Sequence, residues 1–133
     1  MQPLFENEHC IIYYDESVPA IHQQWQGFAS GELLREAHDA TVQQVRIHKT
    51  PCILADTRQM RVISRADQQW ITDSYFPRLI AAGSRRIAIV QSEDIFNQTS
   101  VQHIMTDIVR NSLVVAEHFQ TMEAARAWLR ENC

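Results

Sequence analysis

Apolar positions follow different spacings along the chain, and each spacing predicts its own type of element. The continuous run from Pro51 to Ala55 is typical of a short strand covered on both faces. Alternation of apolar and polar residues between Ile21 and Trp25 predicts a half-buried strand. One buried helical face is predicted by the i, i+3, i+4, i+7, i+8 spacing of Val101, Ile104, Met105, Ile108 and Val109.

The first part of the chain is predicted to form a hairpin followed by a helix. The run Cys10–Tyr14 is β-branched and aromatic, and residues 15–19 supply turn chemistry before the alternating segment. A helix is then predicted from about Gly31 to His48, with the Ser30 hydroxyl capping its free amides.

A second helix is predicted after the short strand. Ser64 and Asp67 stand three apart before an apolar-periodic segment, which is the spacing of an amino-terminal cap. The helix is expected to be kinked or restarted at Pro77 and to end where Gly83 takes a left-handed conformation.

The last third of the chain repeats the alternation of strand and helix. Ile87–Val90 is the next predicted strand, and the helix that contains Val101 follows it. Residues 113–115 either extend that helix or begin a last strand reaching Phe119, and periodicity leaves both open. Thr121 then caps a terminal helix.

These elements together predict an α/β fold. The 133 residues match one domain, and the chain contains no linker-like or repetitive tract. Strands that alternate with helices after an opening β-hairpin predict a mixed, mainly parallel sheet built from right-handed β-α repeats.

Net charge and cysteine content indicate which partners and which cellular compartment to expect. The net charge of -4 argues against nucleic acid and anionic membranes, which bind basic surfaces. Cys10, Cys52 and Cys133 form no C-x-x-C pair, so reduced thiols in the cytoplasm are expected. The start of the chain lacks a signal-peptide pattern, and no apolar run approaches the roughly 20 residues that span a bilayer.

No catalytic, cofactor or metal signature accompanies the fold. The six histidines have no zinc spacing, and G-x-S-x-G, G-x-G-x-x-G and the phosphate loop are absent from a chain with three glycines. We therefore expect no cofactor and no bound metal, and the sequence leans against an enzyme.

Candidate site residues lie where predicted strands end. Asp56 and Arg58 follow the strand at residues 51–55, and Asp94 follows the next strand. The carboxyl ends of parallel strands are where ligands of such sheets usually bind. Asp56 and Arg58 are thus expected at this rim and outside the core, with the alternative that Asp56 caps a turn or pairs locally. Asp56 and Asp94 also offer carboxylates for a cation or for acid/base work.

Three further residues add to the candidate surface. Ser64 is interpreted first as a helix cap, with a regulated hydroxyl as the alternative. Ile95 and Phe96 interrupt the polar loop S-E-D-I-F-N-Q-T-S, so they either fold back into the core or present an apolar contact to a second subunit.

Several motifs resemble small bacterial proteins of the STAS or SpoIIAA-like group. The likeness spans nearly the whole chain and rests on W-Q-G, I-L-A-D-T-R-Q-M-R-V-I-S, D-Q-Q-W-I, R-R-I-A-I-V and F-Q-T-M-E-A-A-R-A-W-L. In the anti-sigma-factor antagonists of this group, a strand ending in Asp leads to a phosphorylatable Ser at a helix start. The resemblance implies those places for Asp56 and Ser64, although this chain has S-R-A-D where that branch has an Asp-Ser-Ser-Gly-like stretch.

The sequence supports a ranked set of functions. The first is a cytoplasmic, non-enzymatic STAS-like module that works through protein contacts or self-association at the rim and at the Ser64 helix start. The second is a binder of a small apolar or anionic metabolite at the same rim, where Arg58 supplies positive potential. An enzyme that uses Asp56 or Asp94 as a base ranks last.

Overall fold

The structure, a computed structural model, describes residues 2–133, which form one α/β domain around a six-stranded sheet. The strands are β1 (Phe5–Glu6), β2 (Cys10–Asp15), β3 (Ala20–Gly27), β4 (Cys52–Met60), β5 (Arg86–Val90) and β6 (Val115–Phe119). The helices are α1 (Gly31–His48), α2 (Arg65–Trp70), α3 (Phe76–Ala81), α4 (Ile95–Asn111) and α5 (Met122–Asn132), with a π-helical turn, Ile71–Tyr75, joining α2 to α3.

The strands lie in the sheet in chain order, from β1 to β6. The pairs β1–β2 and β2–β3 are antiparallel, whereas β3–β4, β4–β5 and β5–β6 are parallel. The predicted mixed, mainly parallel sheet with an opening hairpin is therefore confirmed. The assignment to the SpoIIAA-like group stays a prediction.

Side chains of the central strands β3, β4 and β5 alternate between two separate apolar clusters on the two sides of the sheet. On β4, Ile53 and Ala55 pack in a large cluster with residues of α1, α3 and α4, and we call this side the helix-rich face. Cys52 and Leu54 pack instead in a small cluster with α5, and we call this side the α5 face.

The predicted bounds of α1 are confirmed, but its predicted cap is wrong. Ser30 occupies the capping position, yet its side chain makes no capping hydrogen bond. The amide of Gly31 donates to the Asp67 carboxylate instead, at 3.3 Å from Oδ1. The start of α1 is thereby joined to the first turn of α2, which lies 36 residues later in the chain.

The strand predicted at residues 51–55 is longer than its apolar run. β4 continues to Met60, where it still pairs with Gly27 after a register shift in β3. Asp56 and Arg58 therefore lie inside a strand, and the expectation that they follow its end is wrong. The strand continues past its apolar run because Asp56 and Arg58 neutralise each other's charge, so both are compatible with a position in the sheet.

The helix that contains Val101 begins earlier than its apolar spacing indicates. α4 starts at Ile95, so Ile95 and Phe96 form its first turn and the predicted loop is wrong at this point. Asp94 caps this turn, since its carboxylate accepts from the Phe96 amide at 2.9 Å. The open choice after the helix is settled in favour of a last strand, β6.

The predicted restart near Pro77 is confirmed. Pro77 lies in the first turn of α3, immediately after the π-helical turn. Proline has no N–H to donate to the preceding turn, and the wider π-helical turn accommodates that loss. Gly83, with a φ of 115°, then ends the segment as predicted.

The cysteines differ from the expectation of reduced thiols. Cys52 of β4 and Cys133 form a disulfide with a Cα–Cα distance of 6.3 Å, and Cys10 is free and buried. Disulfides are rare in cytosolic proteins, so this bond weighs against the cytoplasmic location, which stays a prediction. Among the described residues, no helix is long and apolar enough to cross a membrane.

Candidate functional site

Asp56 and Arg58 form a two-bonded ion pair on the α5 face. Arg58 donates from Nε to Asp56 Oδ1 at 2.9 Å and from its terminal nitrogen to Oδ2 at 2.8 Å. The Asp56 side chain is only 8% exposed, whereas that of Arg58 is 48% exposed. The hydrogen bonds to Asp56 raise the pKa of Arg58 further. Because Asp56 is buried, the expectation that it lies outside the core is wrong. A buried carboxylate is costly without a partner of opposite charge, and Arg58 supplies that charge.

Ser64 is a helix cap with both of its hydrogen-bonding roles in use. Its Oγ accepts from the Asp67 amide at 3.2 Å and donates to Asp67 Oδ2 at 2.7 Å. The predicted cap is confirmed. A phosphate on Ser64 would lie against the Asp67 carboxylate, and like charges at this distance repel. The geometry thus supports the capping role over the regulated hydroxyl.

Asp94 does not share a carboxylate site with Asp56. Asp94 caps α4, whereas Asp56 is held by Arg58 on the α5 face. Within residues 2–133, no group of three or more His, Cys, Asp or Glu side chains has the arrangement of a metal site. The two carboxylates therefore have separate structural roles.

Ile95 and Phe96 are two large apolar side chains left in solvent at the start of α4. They are 65% and 69% exposed, so the alternative that they fold back into the core is wrong. Both lie at the carboxyl end of the sheet, where β4 and β5 lead into their following helices.

The backbone beneath this apolar pair is fixed by buried polar side chains. Ser92 donates to the Met60 carbonyl at 2.6 Å, and Asn97 donates to the Arg61 carbonyl at 2.7 Å. Ser100 approaches the Ile63 carbonyl at 3.3 Å. These bonds join the start of α4 to the segment between β4 and α2, so the apolar pair is held on a rigid support.

Two arginines lie at the two ends of the supporting segment between β4 and α2. Arg61 and Arg65 are exposed, and no salt bridge to either occurs in residues 2–133. The backbone of Arg61 is joined to the first turns of α4, since its carbonyl accepts from Asn97, one position after Phe96. We call Arg61, Arg65, Ile95 and Phe96 the rim surface.

A buried polar network on the helix-rich face was missed by the sequence predictions. Trp25 donates to Gln23, Gln23 donates to Thr41, and His38 contacts both Trp25 and Tyr75 through its ring. The available signal was a polar residue inside each apolar pattern, since Gln23 lies between Ile21 and Trp25 in β3, and His38 lies one turn after Leu34 in α1.

This network borders a cavity of about 60 Å³ between the sheet and the helices. Apart from Thr57, its remaining lining is apolar and comes from β4, β5, α3, α4, the π-helical turn and the segment between β4 and α2. Burial lowers the pKa of His38 to about 4 and raises the pKa of Tyr75. Both side chains are therefore neutral near pH 7.

His22 is the counterpart on the α5 face, where it lies near two ion pairs. Neither ring nitrogen has a hydrogen-bond partner among the described residues. Burial lowers its pKa, against the opposing charges of Asp56 and Asp15. Its ring packs against Tyr13 on the neighbouring strand, with centroids 5.8 Å apart.

Comparison with known proteins does not assign the chain to a family. No family model matches the chain, and no curated protein or solved structure was found to match it. The resemblance to the STAS or SpoIIAA-like group therefore stays a prediction from the sequence.

Proposed function

We propose that the protein is a non-enzymatic, STAS-like interaction module whose contact surface is the rim surface. The observation that carries this proposal is the exposure of Ile95 and Phe96 on a hydrogen-bonded support. Burying one such side chain is worth roughly 1.5–3 kcal/mol, so the pair supplies an anchor for a partner. A rigid support increases affinity because binding then costs little conformational entropy.

The chemistry of the rim surface defines the partner. Phe96 and Ile95 require an apolar recess, and Arg61 and Arg65 favour carboxylates beside it. The partner is therefore a protein segment with an apolar recess and acidic residues, either on another protein or on a second copy of this chain.

Binding of a small metabolite at the rim has weaker support. Arg58, the cation expected to attract an anion, is already neutralised by Asp56. The cavity bordered by Tyr75 lies beneath the helices, and its 60 Å³ is far below the roughly 300–1,000 Å³ of a metabolite pocket.

The proposal is tested by placing a photo-cross-linking amino acid at position 96 in cells that make the protein. We expect discrete adducts on illumination and loss of these adducts in the Arg61→Glu, Arg65→Glu background. Light scattering on the purified chain then distinguishes a second copy from another protein.

The matched control carries the same cross-linker at position 47. Ile47 is 61% exposed but lies in the last turn of α1, at the opposite end of the sheet. Equal adducts at both positions, or none at position 96, would contradict the proposal.

A further inference from the structure

The cavity on the helix-rich face has a size that admits only a very small molecule. Its volume is about 60 Å³, and a water-sized group needs roughly 10–15 Å³ by the same measure. The cavity therefore holds on the order of four to six non-hydrogen atoms. Its lining is apolar except for Gln23, His38, Thr57 and Tyr75.

The Trp25, Gln23 and Thr57 side chains along this lining already donate to partners inside the protein. Trp25 Nε1 donates to Gln23 Oε1 at 3.1 Å, and Gln23 Nε2 donates to Thr41 Oγ1 at 2.9 Å. Thr57 Oγ1 donates to the Val90 carbonyl at 2.6 Å. Burial raises the pKa of Tyr75, whereas hydrogen bonding from Gln23 lowers it by less, so the Tyr75 oxygen acts there as an acceptor.

His38 supplies a nitrogen acceptor that these bonds leave over. Its Nδ1 lies 2.8 Å from the Leu34 carbonyl oxygen, which can only accept, so Nδ1 carries the hydrogen. The neutral ring then has a lone pair on Nε2, for which no partner occurs in residues 2–133. His38 is more than nine-tenths buried, and burial keeps it neutral by lowering its pKa to about 4.

We propose that this cavity is a binding site for a small neutral alcohol, whose hydroxyl donates to His38 Nε2 and whose carbon chain contacts the apolar lining. A carboxylate and an ammonium ion are both excluded because the lining offers no counter-charge to a buried ion. This site is separate from the rim surface and goes beyond the interaction function.

The test compares two isomers of the same size on the full chain. Butan-1-ol has a hydroxyl donor, whereas diethyl ether has the same atoms and only an acceptor. We expect saturable shifts of cavity-lining amide resonances with butan-1-ol and roughly five- to tenfold weaker binding of diethyl ether. Butanoate and butylammonium are expected to give no saturable shifts.

Two variants locate the site. Ala55→Leu fills the cavity and should abolish butan-1-ol binding, whereas Ala127→Leu, at an exposed position of α5, should leave it unchanged. His38→Phe keeps a ring but removes the acceptor, so butan-1-ol should then bind no better than diethyl ether.

Three outcomes would overturn the proposal. They are equal affinity of the two isomers for the parent chain, absence of saturable binding by butan-1-ol, and unchanged binding in Ala55→Leu. If His38→Phe does not fold, the isomer comparison and the Ala55→Leu, Ala127→Leu pair still decide.

Discussion

The two faces of the sheet are held by different kinds of interaction. Among the described residues, the cluster on the helix-rich face contains 23 buried apolar residues, whereas the cluster on the α5 face contains eight. Burial of apolar surface is the main stabilising term in folding, so the helix-rich face contributes most of it. The packing of α5 against the sheet therefore relies on other interactions as well.

An ion pair and a disulfide bond stabilise the α5 face. Arg126 of α5 bonds to Asp15 and to Ser17 in the turn after β2, and the Cys52–Cys133 disulfide fixes the chain just beyond α5. Burial raises the pKa of Asp15, but the hydrogen bond from Ser17 and the charge of Arg126 outweigh it and hold the pKa below its ordinary value. The stability of the α5 face therefore depends on the charge of Asp15 and on redox conditions.

The largest expected effect comes from removing one buried leucine on the helix-rich face. Leu79 of α3 and Leu129 of α5 are both fully buried, so Leu79→Ala and Leu129→Ala delete the same atoms. We expect a loss of about 3–5 kcal/mol for Leu79→Ala and about 2 kcal/mol for Leu129→Ala, because a terminal helix can relax into the space. Denaturant unfolding of both variants measures the difference. Equal losses would refute the contrast between the faces.

Loss of the disulfide is expected to affect the α5 face selectively. The bond closes a loop with a sequence separation of 81 residues, so Cys133→Ser should lower the free energy of unfolding by about 2–4 kcal/mol. Hydrogen exchange should accelerate in α5 while α1 and α3 stay protected. Cys10→Ser, which removes the free thiol and leaves the disulfide intact, is the control for the loss of a sulfur atom. Uniform acceleration of hydrogen exchange in all helices of Cys133→Ser would contradict the expectation.

The pH dependence of stability should differ between variants of the two buried histidines, His38 and His22. The pKa of His38 in the folded chain is about 4, below the roughly 6.5 of an unfolded chain, so the unfolded chain binds more protons between these values. Stability is therefore fully present above about pH 6.5 and falls by about 2–3 kcal/mol towards pH 4. His38→Phe should remove most of this slope. His22→Phe tests the smaller contribution of the same sign from the α5 face, and an unchanged slope in His38→Phe would sink this assignment.

The sequence predicted elements with regular apolar spacing and missed features that depend on contacts between distant residues. The bounds of α1 follow from its apolar stripe, whereas α4 was predicted to start too late because Ile95 and Phe96 face solvent and break the stripe. The length of β4 was missed because its charged residues neutralise each other only in the folded strand.

The candidate site was predicted only in part for the same reason. Ile95 and Phe96 were identified as an unusual apolar pair, but their support depends on bonds from Ser92 and Asn97 to backbone more than 30 residues away. The cavity beside His38 arises where three helices meet the sheet, and no local pattern encodes such a space. The Cys52–Cys133 pairing likewise has no local signal.

The π-helical turn makes the segment after β4 tolerant of shortening by one residue but not of lengthening. The turn contains one more residue than an α-helical turn, and one residue corresponds to about 100° of rotation along an α-helix. Deletion of a single residue such as the exposed Asp73 would let the turn close as ordinary α-helix and keep Phe76 and Leu79 towards the sheet, whereas insertion of a further residue would turn them away. Insertions are thus far less tolerated here than in an ordinary surface loop, although the turn itself is partly exposed.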